Sequence, residues 1–255
     1  MVKQKDKKVP ELSFIIPARN EQGTIQANVR ACLEAAGQLG VQRDVIVVSD
    51  GSTDATDDIA LETGARVIRR NTNPAKAYAV REGVLNSDAE YTFFVDADLR
   101  GLKPHHLVRV AGPVLNGKAD MAIANRDNIF GRRGFGNAAE RILRKELFPV
   151  DDPRLKGWNF ELLINEAVGK RHGITLSFVM EGVHQRTKFD KLGWYQGTIE
   201  EAKEWSQIFF EVRHMSAAAL VNYWTRIKRI KNERRETQRA IMSPAFEKIN
   251  PRLTK

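Results

Sequence analysis

The chain of 255 residues carries a single cysteine, Cys32, and no apolar run that approaches the roughly 20 residues needed to span a bilayer. An intramolecular disulfide framework is excluded, and a reducing compartment is the expected setting. Met1 to Lys8 is basic with no apolar stretch behind it, so it does not read as a secretory signal. Two phosphate-binding signatures are missing as well. No Gly-x-Gly-x-x-Gly follows the first strand-like run, and no Gly-Lys-Ser/Thr occurs, so dinucleotide-binding and P-loop readings lack their cradles. What is present in quantity is apolar residue, 42% of the chain, enough for one substantial core.

The net charge of +9 is unevenly placed. Residues 1–8 contribute +3 from four Lys and one Asp, and residues 226–255 contribute +7 from ten Lys/Arg and three Glu, which leaves −1 for residues 9–225. A near-neutral body with basic ends argues against a specific nucleic-acid domain. It fits electrostatic attachment to an anionic surface, or a tail that only aids solubility.

Strand-like runs near Leu12–Ile16, Asp44–Ser49, Arg66–Arg70, Tyr91–Val95 and Met121–Asn125 alternate with helical patterns over Thr24–Leu39, Thr53–Thr63, Ala75–Asn86 and Pro104–Leu115. Helices are further expected over Asn137–Leu147 and Phe160–Lys170, and a strand over Ile174–Gly182. Such alternation predicts an α/β fold with a mostly parallel sheet flanked by helices. Right-handed crossovers then bring the carboxyl ends of the strands to one edge, where ligands bind in open α/β sheets.

Three polar motifs follow strands and so share that edge: Pro17-Ala18-Arg19-Asn20-Glu21, Asp50-Gly51-Ser52-Thr53-Asp54, and Asp96-Ala97-Asp98. Asp50 is placed to accept hydrogen bonds from a base or ribose, while Ser52, Thr53 and Asp54 can cap the next helix. Asp96 and Asp98 end a buried run, where two carboxylates repel unless a cation or polar ligand lies between them. A divalent metal holding a diphosphate meets that need; a turn or helix cap is the competing use.

With their order and spacing, Phe14–Glu21, Val47–Thr56 and Phe94–Asp98 resemble the nucleotide-sugar half of family 2 glycosyltransferases with the GT-A (Rossmann-like) fold. The resemblance implies inverting transfer from a UDP- or GDP-sugar, with Mg²⁺ or Mn²⁺ on the diphosphate. It carries nucleotide-sugar contacts onto Pro17, Ala18, Glu21, Asp50, Ser52, Asp96 and Ala97, and metal ligation onto Asp96 and Asp98, Asp98 being catalytic. Asn73-Pro74-Ala75-Lys76-Ala77 resembles a further family element with both inner glycines replaced by alanine. Lys76 there can reach a phosphate or the base, or lie on a solvated helix face, and the alanines imply regular helix.

On the acceptor side, Gly157-Trp158-Asn159-Phe160-Glu161 resembles a glycine-led acidic motif, which makes Glu161 a general-base or acceptor-positioning candidate, or a simple helix cap. His184 resembles an extra metal ligand of some relatives, and Arg186 and Lys188 beside it could clamp phosphates. The stretch from Asn125 to Asn137, with Arg126, Arg132 and Arg133, and then Arg141 and Arg144, resembles the arginine-rich acceptor-phosphate region of polyprenyl-phosphate glycosyltransferases, which implies a membrane-linked acceptor such as a polyprenyl phosphate or lipid. The passage from Phe148 to Gly157 is short for that group, and relatives such as glucosyl-3-phosphoglycerate synthases give the alternative of a small phosphorylated acid as acceptor. A nucleotide-sugar-binding protein without catalysis is the third reading.

From Thr198 to Arg235, apolar residues recur at helical spacing and basic residues gather toward the end. The expected organisation is a basic tail at 1–8, a GT-A domain at 9–197, and a basic amphipathic helical extension at 198–255 that either touches an anionic membrane or packs on protein, a homo-oligomer included. The expected location is cytoplasmic, compatible with the inner face of the cell membrane.

Overall fold

The computed structural model describes residues 11–71, 74–127, 140–157, 159–185 and 215–229. Among these, eight strands form one sheet in the order β10-β8-β6-β7-β4-β1-β2-β3. They are β1 (Glu11–Ala18), β2 (Gln42–Asp50), β3 (Arg66–Arg70), β4 (Tyr91–Phe94), β6 (Met121–Arg126), β7 (Arg141–Arg144), β8 (Thr175–Met180) and β10 (Ile227–Arg229). All neighbours pair in parallel except at β7, which runs antiparallel to both β4 and β6. Two two-residue strands, β5 (Leu99–Arg100) and β9 (His184–Gln185), pair antiparallel beside the sheet.

The helices are α1 (Ile25–Leu39), α2 (Thr56–Thr63), α3 (Lys76–Leu85), α4 (Pro104–Leu115), α5 (Phe160–Lys170) and α6 (Ala217–Arg226). Strand alternation sorts the core into two layers. From β1, Leu12, Phe14 and Ile16 face α1 and α4, where Val29, Cys32, Leu107 and Val110 are buried, and Ile15 faces α3 and α5 with Val80, Phe94, Phe160 and Leu163. The expected parallel α/β sheet with helices on both faces is therefore observed.

Two segments differ from expectation. Asn137–Leu147 reads as helix in sequence, yet Arg141–Arg144 is a central strand and Lys145–Leu147 a short 3₁₀ turn. Ile142 and Leu143 fill the two opposite core layers, a period-two use that the surrounding arginines hide. The C-terminal helical pattern is described as helix over Ala217–Arg226, packed on α5, after which Ile227–Arg229 turns extended and pairs with β8. The remainder of the expected helix lies outside the described residues.

Candidate active site

The carboxyl ends of β1, β2 and β4 open onto a cleft of about 220 Å³. It is lined by Pro17, Ala18, Arg19, Glu21, Asp50, Pro74, Ala75, Lys76, Ala79, Asp96, Ala97, Asp98 and Gln185. Of the expected nucleotide-sugar contacts, only Ser52 is not in the lining; its hydroxyl accepts a hydrogen bond from Asn20 N at 3.2 Å at the exposed rim.

Local bonding explains why these loops converge. The segments after β1 and β2 are tied by Asn20 Oδ1 accepting from Thr53 N (2.8 Å) and by Thr56 Oγ1 accepting from Glu21 N (2.8 Å). Asp54 accepts from Thr56 N at 3.0 Å and from Gln22 N at 3.2 Å, the helix-start role expected of it. Despite partial burial, these bonds hold its carboxyl below the usual range. Asp50 pairs with Arg70 at its own register position on β3, and Arg70 lies over the Tyr78 ring. Burial nevertheless outweighs Arg70 and raises the Asp50 carboxyl. Asn28 of α1 donates to Ala97 O (2.8 Å) and Leu99 O (3.2 Å), which fixes the backbone between the two aspartates and beyond.

Lys76 is the first residue of α3, and Ala77 N donates to Gly157 O at 3.0 Å. The helix is regular from its start, so the alanines at 75 and 77 are accommodated without a glycine turn. The Lys76 ammonium donates to Asp96 Oδ1 at 2.6 Å, stands 3.9 Å from Glu161 Oε1, and lies 5.6 Å from the Phe160 ring centroid. Burial pulls the Lys76 pKa down, but Asp96 and Glu161 overcome it and hold the ammonium above an ordinary lysine. Glu161 is in the first turn of α5 with its side chain 13% exposed. Burial pushes its carboxyl up to about 7 against the pull of Lys76 and Arg141.

The structure brings Gln185, absent from the sequence reading, to Asp98: its amide nitrogen lies 3.1 Å and 3.0 Å from the two carboxylate oxygens. The adjacent His184, expected at the metal, is exposed opposite Arg100, because successive strand residues point to opposite sides. Arg141 is fully buried, donating to Glu161 O (3.2 Å) and Asn165 Oδ1 (2.7 Å), and Arg144 pairs with Glu90. Both serve the scaffold rather than an acceptor phosphate. Arg126, at the end of β6, pairs with buried Glu140 at 3.6 Å. Arg132, Arg133, Arg186, Lys188 and Trp158 lie outside the described residues.

A larger cavity of about 500 Å³ opens at the opposite end of β4, between Leu85, Phe148 and Val150. Its charges are spent on the scaffold, Arg144 on Glu90 and Lys145 on Ser87 O. The carboxyl-edge cleft is therefore the candidate site.

Among the described residues no group of three or more His, Cys, Asp or Glu is gathered to hold a metal. Asp96 and Asp98 nevertheless offer hard oxygen donors at the cleft, and Mg²⁺ is commonly bound by one or two carboxylates with substrate phosphates completing its shell. The donor set fits such a shared site. It does not form a closed protein cage.

Comparison with known proteins agrees with this geometry. The family model of glycosyl transferase family 2 matches residues 13–176. A dolichyl-phosphate beta-glucosyltransferase of Drosophila melanogaster is 40% identical over 100 residues, 34% of this chain and 31% of that protein. A glucosyl-3-phosphoglycerate synthase of Mycobacterium tuberculosis is 29% identical over 114 residues, 42% of this chain and 35% of that protein. The match thus spans about a third of the length of these relatives. Crystal structures of the M. tuberculosis synthase, one of them with Mn²⁺, uridine diphosphate and glucosyl-3-phosphoglycerate, share the fold at a TM-score of 0.55 and 21–22% identity, covering 64% of this chain and 66% of theirs. By its family match, its sheet order and the convergence of its motifs, this chain belongs to glycosyl transferase family 2.

Proposed function

We propose that this protein is an inverting glycosyltransferase that moves a sugar from a UDP- or GDP-sugar to a phosphate-bearing, membrane-linked acceptor such as a polyprenyl phosphate. The observation that carries the reading is the joint placement of Asp50, Lys76, Asp96, Asp98 and Glu161 about one carboxyl-edge cleft. Asp50 and Glu21 would receive the nucleoside, and Asp96 and Asp98 would hold Mg²⁺ or Mn²⁺ with the diphosphate. A bound divalent ion would neutralise charge developing on the departing diphosphate. Lys76 supplies a second, fixed positive charge next to Asp96 and needs no reorganisation to act. Glu161 orients the acceptor, and for a hydroxyl acceptor would also take its proton.

The acceptor rests on two features. Arg126 stands at the carboxyl edge of β6, and residues 226–255 carry +7, a charge suited to anionic lipid. The likeness to glucosyl-3-phosphoglycerate synthases favours a second reading, a small phosphorylated acid as acceptor. The exposed Val221 and Trp224 on α6 favour the membrane version.

A thermal-shift screen of nucleoside-diphosphate sugars with and without Mn²⁺ tests the donor half. A metal-dependent shift with one donor, lost in Asp98→Ala, is expected. Absence of any shift across the panel overturns the reading. Transfer to polyprenyl phosphate against transfer to 3-phosphoglycerate then separates the two acceptors, and donor binding without turnover on either favours a binding protein.

A further inference from the structure

Glu140 is buried in the site and has no role in the mechanism above. Its position follows from register. Arg141 pairs with Phe94 on β4 and with Ile123 on β6, and Glu140 O accepts from Ala124 N at 2.8 Å. Because β7 runs antiparallel, the residue before it lies at the carboxyl ends of its two neighbours, between the Asp96 loop and Arg126. The Glu140 side chain is 0% exposed, and neither carboxylate oxygen has a hydrogen-bond partner among the described residues. Burying a carboxylate without hydrogen bonds is costly, and an apolar residue of similar volume is often at least as stable. A carboxylate at this place therefore points to work done on a neighbour.

That neighbour is Arg126, whose Nε lies 3.6 Å from Glu140 Oε2, the one ion pair of Arg126 among the described residues. Burial works against the charge on Arg126, and Glu140, ahead of Asp96, Asp98 and Glu161, overcomes it and holds the guanidinium above its ordinary pKa. The contact is made at Nε, and an arginine held from that side leaves its two terminal nitrogens as a planar fork for a phosphate. A flexible arginine would have to be ordered at each binding event; a buried counter-charge removes that cost in advance.

We propose that Glu140 is a positioning residue that fixes Arg126 for the phosphate of the acceptor. The inference rests on the phosphate-bearing acceptor proposed above and adds the residue that prepares its site. Inorganic phosphate is the probe, titrated calorimetrically into the full chain saturated with Mg²⁺ and UDP or GDP. Glu140→Gln, which keeps the side-chain shape and removes the charge, weakens phosphate binding about tenfold. Arg126→Gln weakens it by at least as much, and the double variant binds no worse than Arg126→Gln alone. Glu140→Asp keeps the charge and recovers most of the affinity, and it carries the test if Glu140→Gln does not fold.

The possible failures are distinct. If the wild-type chain binds neither nucleotide, the proposed function falls. If nucleotide binds but phosphate does not, or Arg126→Gln leaves phosphate affinity unchanged, the acceptor site at Arg126 falls, and the role of Glu140 with it. If both single variants weaken binding and the double loses the product of the two factors, Glu140 acts independently of Arg126 and the positioning role is overturned.

Discussion

Lys76 ties together two carboxylates from different parts of the chain, Asp96 after β4 and Glu161 on α5, and its side chain is 14% exposed. Removing one partner of such a buried set leaves the others as uncompensated charge, so Lys76→Met should cost about 3–5 kcal/mol in denaturant unfolding. Asp98→Ala, which also removes the acceptor of the Gln185 amide, should abolish metal-dependent donor binding. A metal-dependent donor shift that survives in Asp98→Ala would count against this role. Glu161 gives a pH signature. Its folded pKa of about 7 is above the ordinary value of 4.5, so between those pH values the folded protein keeps a proton that the unfolded chain has released. Stability therefore falls as pH rises through that window, by roughly 3 kcal/mol from this group alone, and the loss is complete above about pH 7. Glu161→Gln should gain on wild type by a similar amount between pH 4.5 and pH 8 in urea midpoints. A difference that stays constant with pH would refute the burial account. At this scale the sequence was legible where a residue follows a strand, as Asp50, Asp96 and Asp98 do, because chain order alone puts them at the edge. Gln185 and Glu140 reach the same site through antiparallel pairing, which leaves no local pattern, and a glutamine beside a more conspicuous histidine draws no notice.

Among the elements, the least legible was β7. Its apolar residues are confined to Ile142 and Leu143, flanked by Arg141 and Arg144, and a two-residue core contribution has no measurable period. Arg141 is the largest fully buried side chain among the described residues, and a buried arginine opposes every composition-based expectation for a central strand. The parallel strands other than β10, and α4, by contrast, follow apolar runs and a Pro at the first helical turn, and sequence placed them well. The β5–β9 pair shows how a small element controls the site. Gly101 has φ +80°, and a Cβ there would stand 2.3 Å from Gly182 O, the backbone of the turn that leads to Gln185. His106 of α4 supports the same region: its Nδ1 accepts from Lys103 N at 3.1 Å, and its ring hydrogen-bonds the backbone at Glu181. Gly101→Ala should therefore push β9 away from β5 and loosen Gln185 from Asp98. The expected result is a loss of about 1–3 kcal/mol with weakened metal-dependent donor binding, read by thermal melts and donor titration of the same variant. Gly117→Ala makes the control, since it too has a positive φ, +67°, but nothing within 4 Å of its Cβ and no place in the site. If both variants lose the same stability and donor affinity, the close approach of Gly101 to Gly182 has no special part in the site.

For the whole molecule, charge and exposed apolar surface decide whether the protein meets a membrane. No helix among the described residues is long and apolar enough to cross one. On α6, Val221 is 60% and Trp224 45% exposed, three residues apart and hence on one helix face, while Ala219 is buried in the packing against α5. An exposed tryptophan beside a segment of +7 charge is the pairing that interfacial binding uses: apolar insertion of a few side chains, plus about 1 kcal/mol per basic residue near an anionic surface. The two contributions predict different responses in vesicle flotation of the full chain. Vesicles containing phosphatidylglycerol should carry the protein upward at low salt and neutral phosphatidylcholine vesicles should not, because insertion of Val221 and Trp224 alone is too weak. Raising salt from about 0.05 M to 0.5 M should release it as the Debye length falls well below 10 Å. The Val221→Ser, Trp224→Ser double variant should bind anionic vesicles several-fold less tightly while keeping its donor thermal shift, since α6 packs on α5 away from the cleft lining. Binding that ignores lipid charge would reject the electrostatic part, and an unchanged double variant would reject the role of α6. If the full chain floats with neither vesicle type, the acceptor is better sought among soluble phosphorylated acids, and transfer to 3-phosphoglycerate becomes the decisive assay.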